Sequence, residues 1–145
     1  MTMIDVSEKT NVLREATASG TIQLKPQTVK LVQEEKIAKG NPIYTAKIAA
    51  ILATKKTSDL IPLCHPLPLT NAEIYIKVLN ETTIKVVATV KTRAQTGVEM
   101  EALTAVTVAL LTIWDMTKQY EKDQDGQYPS TIIQNIQVIR KYKQV

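Results

Sequence analysis

Hydrophobic and polar residues alternate along several stretches of the chain, which is the pattern of half-buried β-strands. Between residues 14 and 24 the apolar residues occupy every second position. The same alternation recurs over residues 74–78 and 84–90, and the short polar segment 80–82 between them predicts a β-hairpin. With a last apolar stretch over residues 132–141, the pattern predicts four strands.

Helix signals lie between these strands. Residues 27–36, after Lys25-Pro26, predict a short helix, and Asn41-Pro42 predicts the start of a second helix that runs to about Lys56. The sequence from Thr96 to Glu99 has the form of a capping box and predicts a long helix that ends near residue 119. Residues 121–131 are predicted as a loop, and the prolines at positions 62, 66 and 68 exclude a helix interior there.

The order of these elements is strand, helices, strand, strand, helix, strand. It predicts an α+β fold of the ferredoxin-like, split βαβ type, with an antiparallel sheet and helices packed on one face. A length of 145 residues is typical of one domain, so we expect a single domain over residues 1–145.

Composition narrows the class of protein. Hydrophobic residues make up 44% of the chain, and the net charge of +4 is spread evenly, with no basic arm for nucleic acid. A single cysteine excludes an internal disulfide, and the polar N-terminus does not resemble a signal peptide. The longest apolar stretch, residues 102–114, is interrupted by threonines and is short for a bilayer. We therefore expect a cytoplasmic protein that binds neither membrane nor nucleic acid.

Common catalytic and phosphate-binding motifs are missing from the sequence. The four glycines form neither GxGxxG nor a P-loop, and one cysteine with one histidine cannot make a closed zinc site in one chain. No metal site is predicted.

Four local features remain as candidates for chemistry. His65 lies in the proline-framed apolar segment LIPLCHPLPL, where it is either a packed histidine bonded to backbone or a proton carrier. Glu99 and Glu101 lie in the first turn of the long helix, either as dipole-stabilising residues or as ligands. Asp115 and Lys118 lie one turn apart and form either a surface ion pair or a site with a tuned pKa.

Lys55 is the fourth feature. It lies four residues after Ile51 and seven after Ile48, and so on the predicted apolar side of its helix. Its side chain either extends outward to water or serves a binding site.

Four longer segments of the chain together are similar to one known family. They are DVSEKTNVLREA (5–16), KGN (39–41), AKIAAILATKKTSDLIPLCHPLPL (46–69) and TGVEMEALTAVTVALLTIWDMTK (96–118). Through them the chain resembles molybdenum cofactor biosynthesis protein C, the cyclic pyranopterin monophosphate synthase family. The resemblance implies a ferredoxin-like protomer in a hexamer, a trimer of dimers with the active site at the dimer interface.

The implied reaction converts 3′,8-cyclo-7,8-dihydroguanosine 5′-triphosphate into cyclic pyranopterin monophosphate with release of pyrophosphate. No cofactor is firmly implied, and Mg²⁺ bound to the triphosphate is compatible with the reaction. Matching the motifs gives catalytic roles to Lys39, Lys55, Asp115 and Lys118, and substrate contacts to Arg14, Leu63, Cys64, His65, Glu99, Met100, Glu101 and Lys141.

Three positions depart from the family pattern. Asn41 replaces a usual Asp, which changes a helix cap, and Thr117 replaces a common Cys, so no thiol there is essential. The sequence ends at Val145 without the Gly/Ser-rich end common in the family.

A non-catalytic ligand-binding or regulatory module of similar fold is the alternative function. It would account for the lysines and carboxylates without turnover. RNA recognition is disfavoured, because the predicted hairpin offers only Tyr75 as a stacking platform.

Overall fold

The computed structural model describes residues 1–145 and confirms the predicted α+β class. The elements are β1 (Val12–Gln23), α1 (Pro26–Gln33), α2 (Pro42–Lys55), α3 (Thr57–Leu60), β2 (Leu69–Asn80), β3 (Thr83–Ala94), α4 (Glu99–Glu121) and β4 (Ile132–Lys143).

The four strands form one antiparallel sheet in the order β2-β3-β1-β4. This order places the two strands that flank each long connection on either side of a third strand, as the split βαβ pattern requires. Helices α2 and α4 pack against each other and against the sheet. The sequence prediction of a ferredoxin-like arrangement is confirmed.

The core is built mainly from small and aliphatic side chains. Alternate residues of β1 and β3 face the helices and are fully buried, as the period of two predicted. Gly20 of β1 is needed there, because an added Cβ would lie 2.9 Å from both Leu110 Cδ1 and Val106 Cγ1 and 3.0 Å from Ile136 Cγ1. The missing side chain therefore sets how closely α4 approaches the sheet.

Several predicted boundaries differ from the structure. The hairpin strands are longer than their alternating segments, and α1 ends at Gln33 instead of residue 36. The capping box is wrong: the N-cap of α4 is Val98, and no side chain caps the helix. Thr96 lies two residues too early to cap a helix that begins at Glu99. The cap of α2 is confirmed, since the Asn41 side chain accepts hydrogen bonds from the backbone N–H groups of Ile43 and Tyr44.

Helix α4 has the length and composition to cross a membrane, but half of its most apolar window is buried inside the domain. Its threonines are accommodated because their hydroxyls donate back to carbonyls one turn earlier, at 2.7 Å for Thr112 to Val108 and for Thr117 to Ile113. This is the placement of the central helix of a globular core.

Two surfaces of the protomer expose apolar side chains. The outer side of α2 presents Tyr44, Ile48 and Leu52, all more than half exposed. The edge strand β4 is exposed along almost its whole length and carries Ile136 and Ile139. An exposed apolar edge strand of twelve residues is unusual for an isolated protein, because it invites pairing with another chain.

Candidate functional site

Lys39, Asp115 and Lys118 form one compact polar cluster. Asp115 and Lys118 lie one turn apart on α4, and Lys118 Nζ is 3.1 Å from Asp115 Oδ1. Lys39, from the segment 34–41 between α1 and α2, places its Nζ 2.9 Å from Asp115 Oδ2 and 2.9 Å from the Asp115 backbone oxygen. Three predicted site residues are thus brought together, and each carboxylate oxygen of Asp115 faces a lysine.

The two lysines determine the electrostatics of this cluster. The Asp115 side chain is 58% exposed, so the small upward effect of burial on its pKa is outweighed by the two lysines. Hydrogen bonds from Lys39, and then from Lys118, instead lower the pKa of Asp115 below its ordinary value. Asp115 is therefore a carboxylate at neutral pH, held in the ionised form by both lysines.

A second group of predicted residues lines a cavity of about 280 Å³ at the other end of α4. His65 Nε2 donates to the backbone oxygen of Ile4 at 2.7 Å, because a carbonyl can only accept. This bond leaves Nδ1 as the basic nitrogen of the neutral ring, so both sequence interpretations of His65 stay open. The lining residues are Ile4, Val6, Lys9, Leu63, Cys64, His65, Leu67, Thr96, Gly97, Glu99, Met100 and Glu101.

The acidic side of this cavity is Glu101, which is only 4% exposed and has no ion-pair partner. Burial raises the pKa of Glu101, and the neighbouring Glu99 raises it further. Burial and Glu101 likewise raise the pKa of the Cys64 thiol. Cys64 is therefore a thiol and not a thiolate at neutral pH, which suits packing better than nucleophilic attack.

Glu99 points back over Gly97, and an alanine Cβ at that glycine would lie 2.2 Å from Glu99 Oε1. Oε1 is shielded from solvent and accepts no hydrogen bond. Lys141 of β4 lies 3.5 Å away, in ion-pair contact with the same oxygen. A buried acceptor without a hydrogen bond is unfavourable, so an N–H donor that reached this oxygen would stabilise it.

Arg14 is buried, and its guanidinium is occupied by the backbone. Its Nε donates to the oxygen of Ala94 at 3.1 Å, and a terminal nitrogen donates to Thr10 and Gln95. The side chain thus ties the N-terminal segment to the end of β3, and an anion contact by Arg14 stays a prediction.

Lys55 is the predicted residue that lies apart from both groups. It is exposed at the end of α2, in a shallow cleft with Thr54, Leu69 and Asn71. The apolar side of α2 on which Lys55 was predicted is exposed in the protomer, since Ile48 is 61% exposed and most of the buried residues of α2 are alanines.

Glu121 was predicted to lie in a loop, but it is the last residue of α4. Glu121 is fully buried at the end of α4 and accepts hydrogen bonds from the Lys25 backbone N–H and the hydroxyls of Thr28 and Thr131. It joins α1, α4 and the start of β4. Its only sequence signal is a carboxylate one turn after Thr117, which does not distinguish it from a surface residue.

No group of three or more His, Cys, Asp and Glu side chains is arranged to hold a metal ion. Beside the lysine cluster, Trp114 and Tyr128 form a tilted aromatic pair with ring centroids 5.1 Å apart. With Leu111 and Ile133 they line an open apolar cavity that includes Asp115 and Lys118. A flat ring system has room there next to the charged groups.

Comparison with known proteins gives consistent results over nearly the whole chain. Residues 3–143 match the MoaC family. A Sulfolobus acidocaldarius protein named "Probable cyclic pyranopterin monophosphate synthase" is 55% identical over 97% of this chain and 98% of its own length. A Pyrococcus abyssi protein of the same name is 54% identical over 97% and 88% of the two chains. A Methanothermobacter thermautotrophicus protein, 55% identical over the same shares, is named "Probable cyclic pyranopterin monophosphate synthase accessory protein".

Proposed function

Since the chain belongs to the MoaC family, we propose that it is a cyclic pyranopterin monophosphate synthase of molybdenum cofactor biosynthesis. Its substrate is then 3′,8-cyclo-7,8-dihydroguanosine 5′-triphosphate, and its products are cyclic pyranopterin monophosphate and pyrophosphate. The observation that carries the proposal is the cluster of Lys39, Asp115 and Lys118, in which two cations and one carboxylate meet within 3.1 Å.

The lysines suit the phosphate chemistry. A ribose-derived hydroxyl attacks the α-phosphorus, the bond to the β-phosphate oxygen breaks, and pyrophosphate leaves. Lys39 and Lys118 can neutralise the charge that develops on this leaving group. As they turn toward phosphate, their hydrogen bonds to Asp115 weaken and its pKa rises toward the ordinary value. Phosphate binding would thereby make Asp115 a better base, which supports its predicted role in general acid–base catalysis.

The carboxylate cavity suits the guanine-derived end of the substrate. Glu99 offers an acceptor oxygen without a hydrogen bond, and Glu101 is buried with a raised pKa. These groups match the amino and ring N–H donors of a guanine-like edge. Lys141, which contacts Glu99, is expected to hold that carboxylate in place or to bind phosphate.

The shared dimer site is part of the same proposal. Glu101 and Asp115 are 14 residues apart on α4, roughly 21 Å along its axis at about 1.5 Å per residue. The two groups line separate cavities in one protomer. A two-fold dimer would combine the Glu end of one copy with the Asp end of another. The exposed apolar surfaces on α2 and β4 support association into such dimers and into the expected hexamer.

Magnesium fits this scheme as a companion of the triphosphate. Both Asp115 oxygens already face lysines, so the lysine cluster does not offer a carboxylate for a resident ion. We propose that any Mg²⁺ binds the substrate phosphates. We also propose that the enzyme is cytoplasmic.

A product assay tests the function directly. The purified protein is supplied with the cyclised GTP intermediate, and pyrophosphate and an oxidised pterin fluorophore are measured with and without a chelator. Wild type should form both products, whereas Asp115→Asn should fold normally and form neither. Stabilisation by the intermediate without either product would instead favour a non-catalytic binding module.

Co-expression tests the shared site, provided that Asp115→Asn and Glu101→Gln are each folded and inactive alone. Random pairing should place both lesions in one site of a mixed dimer and none in the other. Since half of the dimers are mixed, about a quarter of wild-type activity should return. Mixed dimers without any recovered activity would contradict the shared site.

A further inference from the structure

The hydroxyl of Tyr120 makes a hydrogen bond that no part of the proposed chemistry uses. Tyr120 lies on α4 and its ring packs against the core, while its oxygen accepts from the backbone N–H of Ala38 at 2.8 Å. The two residues are 82 positions apart in the sequence. The bond therefore ties the segment 34–41 to the helix that carries Asp115.

This segment otherwise has few restraints near its tip. Ala38, Lys39 and Gly40 are exposed, and Gly40 has a φ of +118°. Ile37 is buried and Asn41 caps α2, so the segment is anchored on both sides of the exposed tip. Between these anchors, the Tyr120 oxygen is the one side-chain acceptor that holds a backbone N–H of the tip.

Lys39 directly follows the residue that Tyr120 holds. Its Nζ donates to both the side chain and the backbone oxygen of Asp115, each at 2.9 Å. A lysine side chain has four rotatable bonds and loses much freedom when its end is fixed. The hydrogen bond to Tyr120 fixes the backbone at Ala38, just before Lys39. Fixing the Lys39 side chain on Asp115 then costs less conformational entropy, because the backbone has fewer alternative conformations.

We infer that Tyr120 is a positioning residue of the candidate site, whose hydroxyl fixes the tip of segment 34–41 so that Lys39 stays on Asp115. The effect on turnover rests on the proposed function, whereas the position of Lys39 can be tested on the free protein without substrate. Tyr120 touches no reacting group and acts through Lys39.

The charges around Asp115 make this inference measurable. Lys39 faces it from segment 34–41 and Lys118 from its own helix, while Tyr128 of the following loop lines the adjoining cavity. Lys39 is the largest cause of the lowered pKa of Asp115. Loosening Lys39 should therefore raise the pKa of Asp115 and leave the contact with Lys118 unchanged.

Tyr120→Phe tests the inference, since it removes only the acceptor oxygen and keeps the ring in the core. The chain has five aspartates, so ¹³C labelling of aspartate carboxyls with Asp115→Asn as the assignment reference can follow Asp115 without substrate. Tyr120→Phe should raise the Asp115 pKa and speed hydrogen exchange at the Ala38 amide about 3- to 10-fold, the range of one lost hydrogen bond. Tyr75→Phe is the matched control, because the Tyr75 side chain is exposed on β2 and makes no hydrogen bond.

Turnover supplies the second readout. Tyr120→Phe should lower kcat/KM about 3- to 10-fold and shift the acid limb of its pH profile upward. In a Lys39→Ala background the same change should not raise the Asp115 pKa further, because the residue through which it acts is gone. An unchanged Asp115 pKa and Ala38 exchange rate would overturn the inference, as would an equal rise of the Asp115 pKa in both backgrounds. If wild type forms no product, the proposed function fails, while the carboxyl titration still decides the role of Tyr120.

Discussion

Gly97 offers a way to disturb the carboxylate cavity without touching a charged residue. It lies just before α4, and its missing side chain leaves room for the carboxylate of Glu99. A Cβ at this position would lie 2.2 Å from Oε1, 2.9 Å from Cδ and 3.0 Å from Oε2 of Glu99. These distances are well inside van der Waals contact, so Gly97→Ala must displace the Glu99 carboxylate from its present position.

The structure also sets the expected size of the changes in stability and in kcat/KM. Gly97 is not among the residues with positive φ, and the displaced atoms are the free end of a flexible side chain. We therefore expect the free energy of unfolding to change by less than about 1 kcal/mol, with a small gain from the stiffer unfolded chain. A hydrogen bond between a ligand and a charged group contributes about 1.5–3 kcal/mol, so kcat/KM should fall about 10- to 150-fold.

Product formation and urea unfolding measure these two quantities on the same protein. Glu99→Gln, which keeps the shape of the side chain, should lose a similar part of kcat/KM. The double variant should be no worse than the poorer single variant, because both remove one interaction. Wild-type kcat/KM in Gly97→Ala would refute the assignment of Glu99 to the substrate, and a large loss of stability would refute the steric argument.

Three further predictions concern other parts of the structure. Lys55→Ala should fold and lose most activity while the neighbouring Lys56→Ala loses little, and equal kcat/KM values for the two would contradict a role for Lys55. Glu101→Gln should stabilise the protein at pH 8 but hardly at pH 4, as measured by unfolding midpoints at both pH values. The pKa of Glu101 in the folded protein is raised above 4.5, so its ionisation destabilises the fold at high pH, while at pH 4 the carboxyl is protonated and carries no such cost. Gly20→Ala should lower the free energy of unfolding by about 1–3 kcal/mol in urea, because the added Cβ would overlap Val106 and Leu110 of the core and Ile136 of β4; an unchanged midpoint would show that these side chains can move apart.

The fold could be predicted because its signals are local and repeated. Alternation over β1 and β3 reflects one buried face of the sheet, and Asn41-Pro42 marks the start of α2 by the cap that the structure contains. The start of α4 was mispredicted for a physical reason. Thr96 and Glu99 have the spacing of a capping box, but the chain turns into the helix two residues later, and the Glu99 side chain folds over Gly97.

Residue spacing alone predicts which types of side chain form the candidate site, but not which of them meet. The spacing of Asp115 and Lys118 shows that they share a helix face, but it does not show that Lys39, 76 residues away, completes the cluster. Tyr120 and Glu121 were missed for the same reason, because their partners come from distant segments that only the folded chain brings close. Lys55 was placed on the apolar side of α2, and periodicity does not reveal that this side is exposed in the protomer.

The separation of the two polar groups follows from the role of α4 in the core. Its 23 residues rise about 1.5 Å each, so its ends lie on opposite sides of the domain. The residues between the ends fill the core, and a shorter helix would remove side chains that are fully buried, including Val106, Leu110 and Ile113. One protomer therefore cannot bring Glu101 to Asp115 without dismantling its own core. A second copy could do so through surface contacts alone, and this geometric limit is the argument for the proposed site shared between chains.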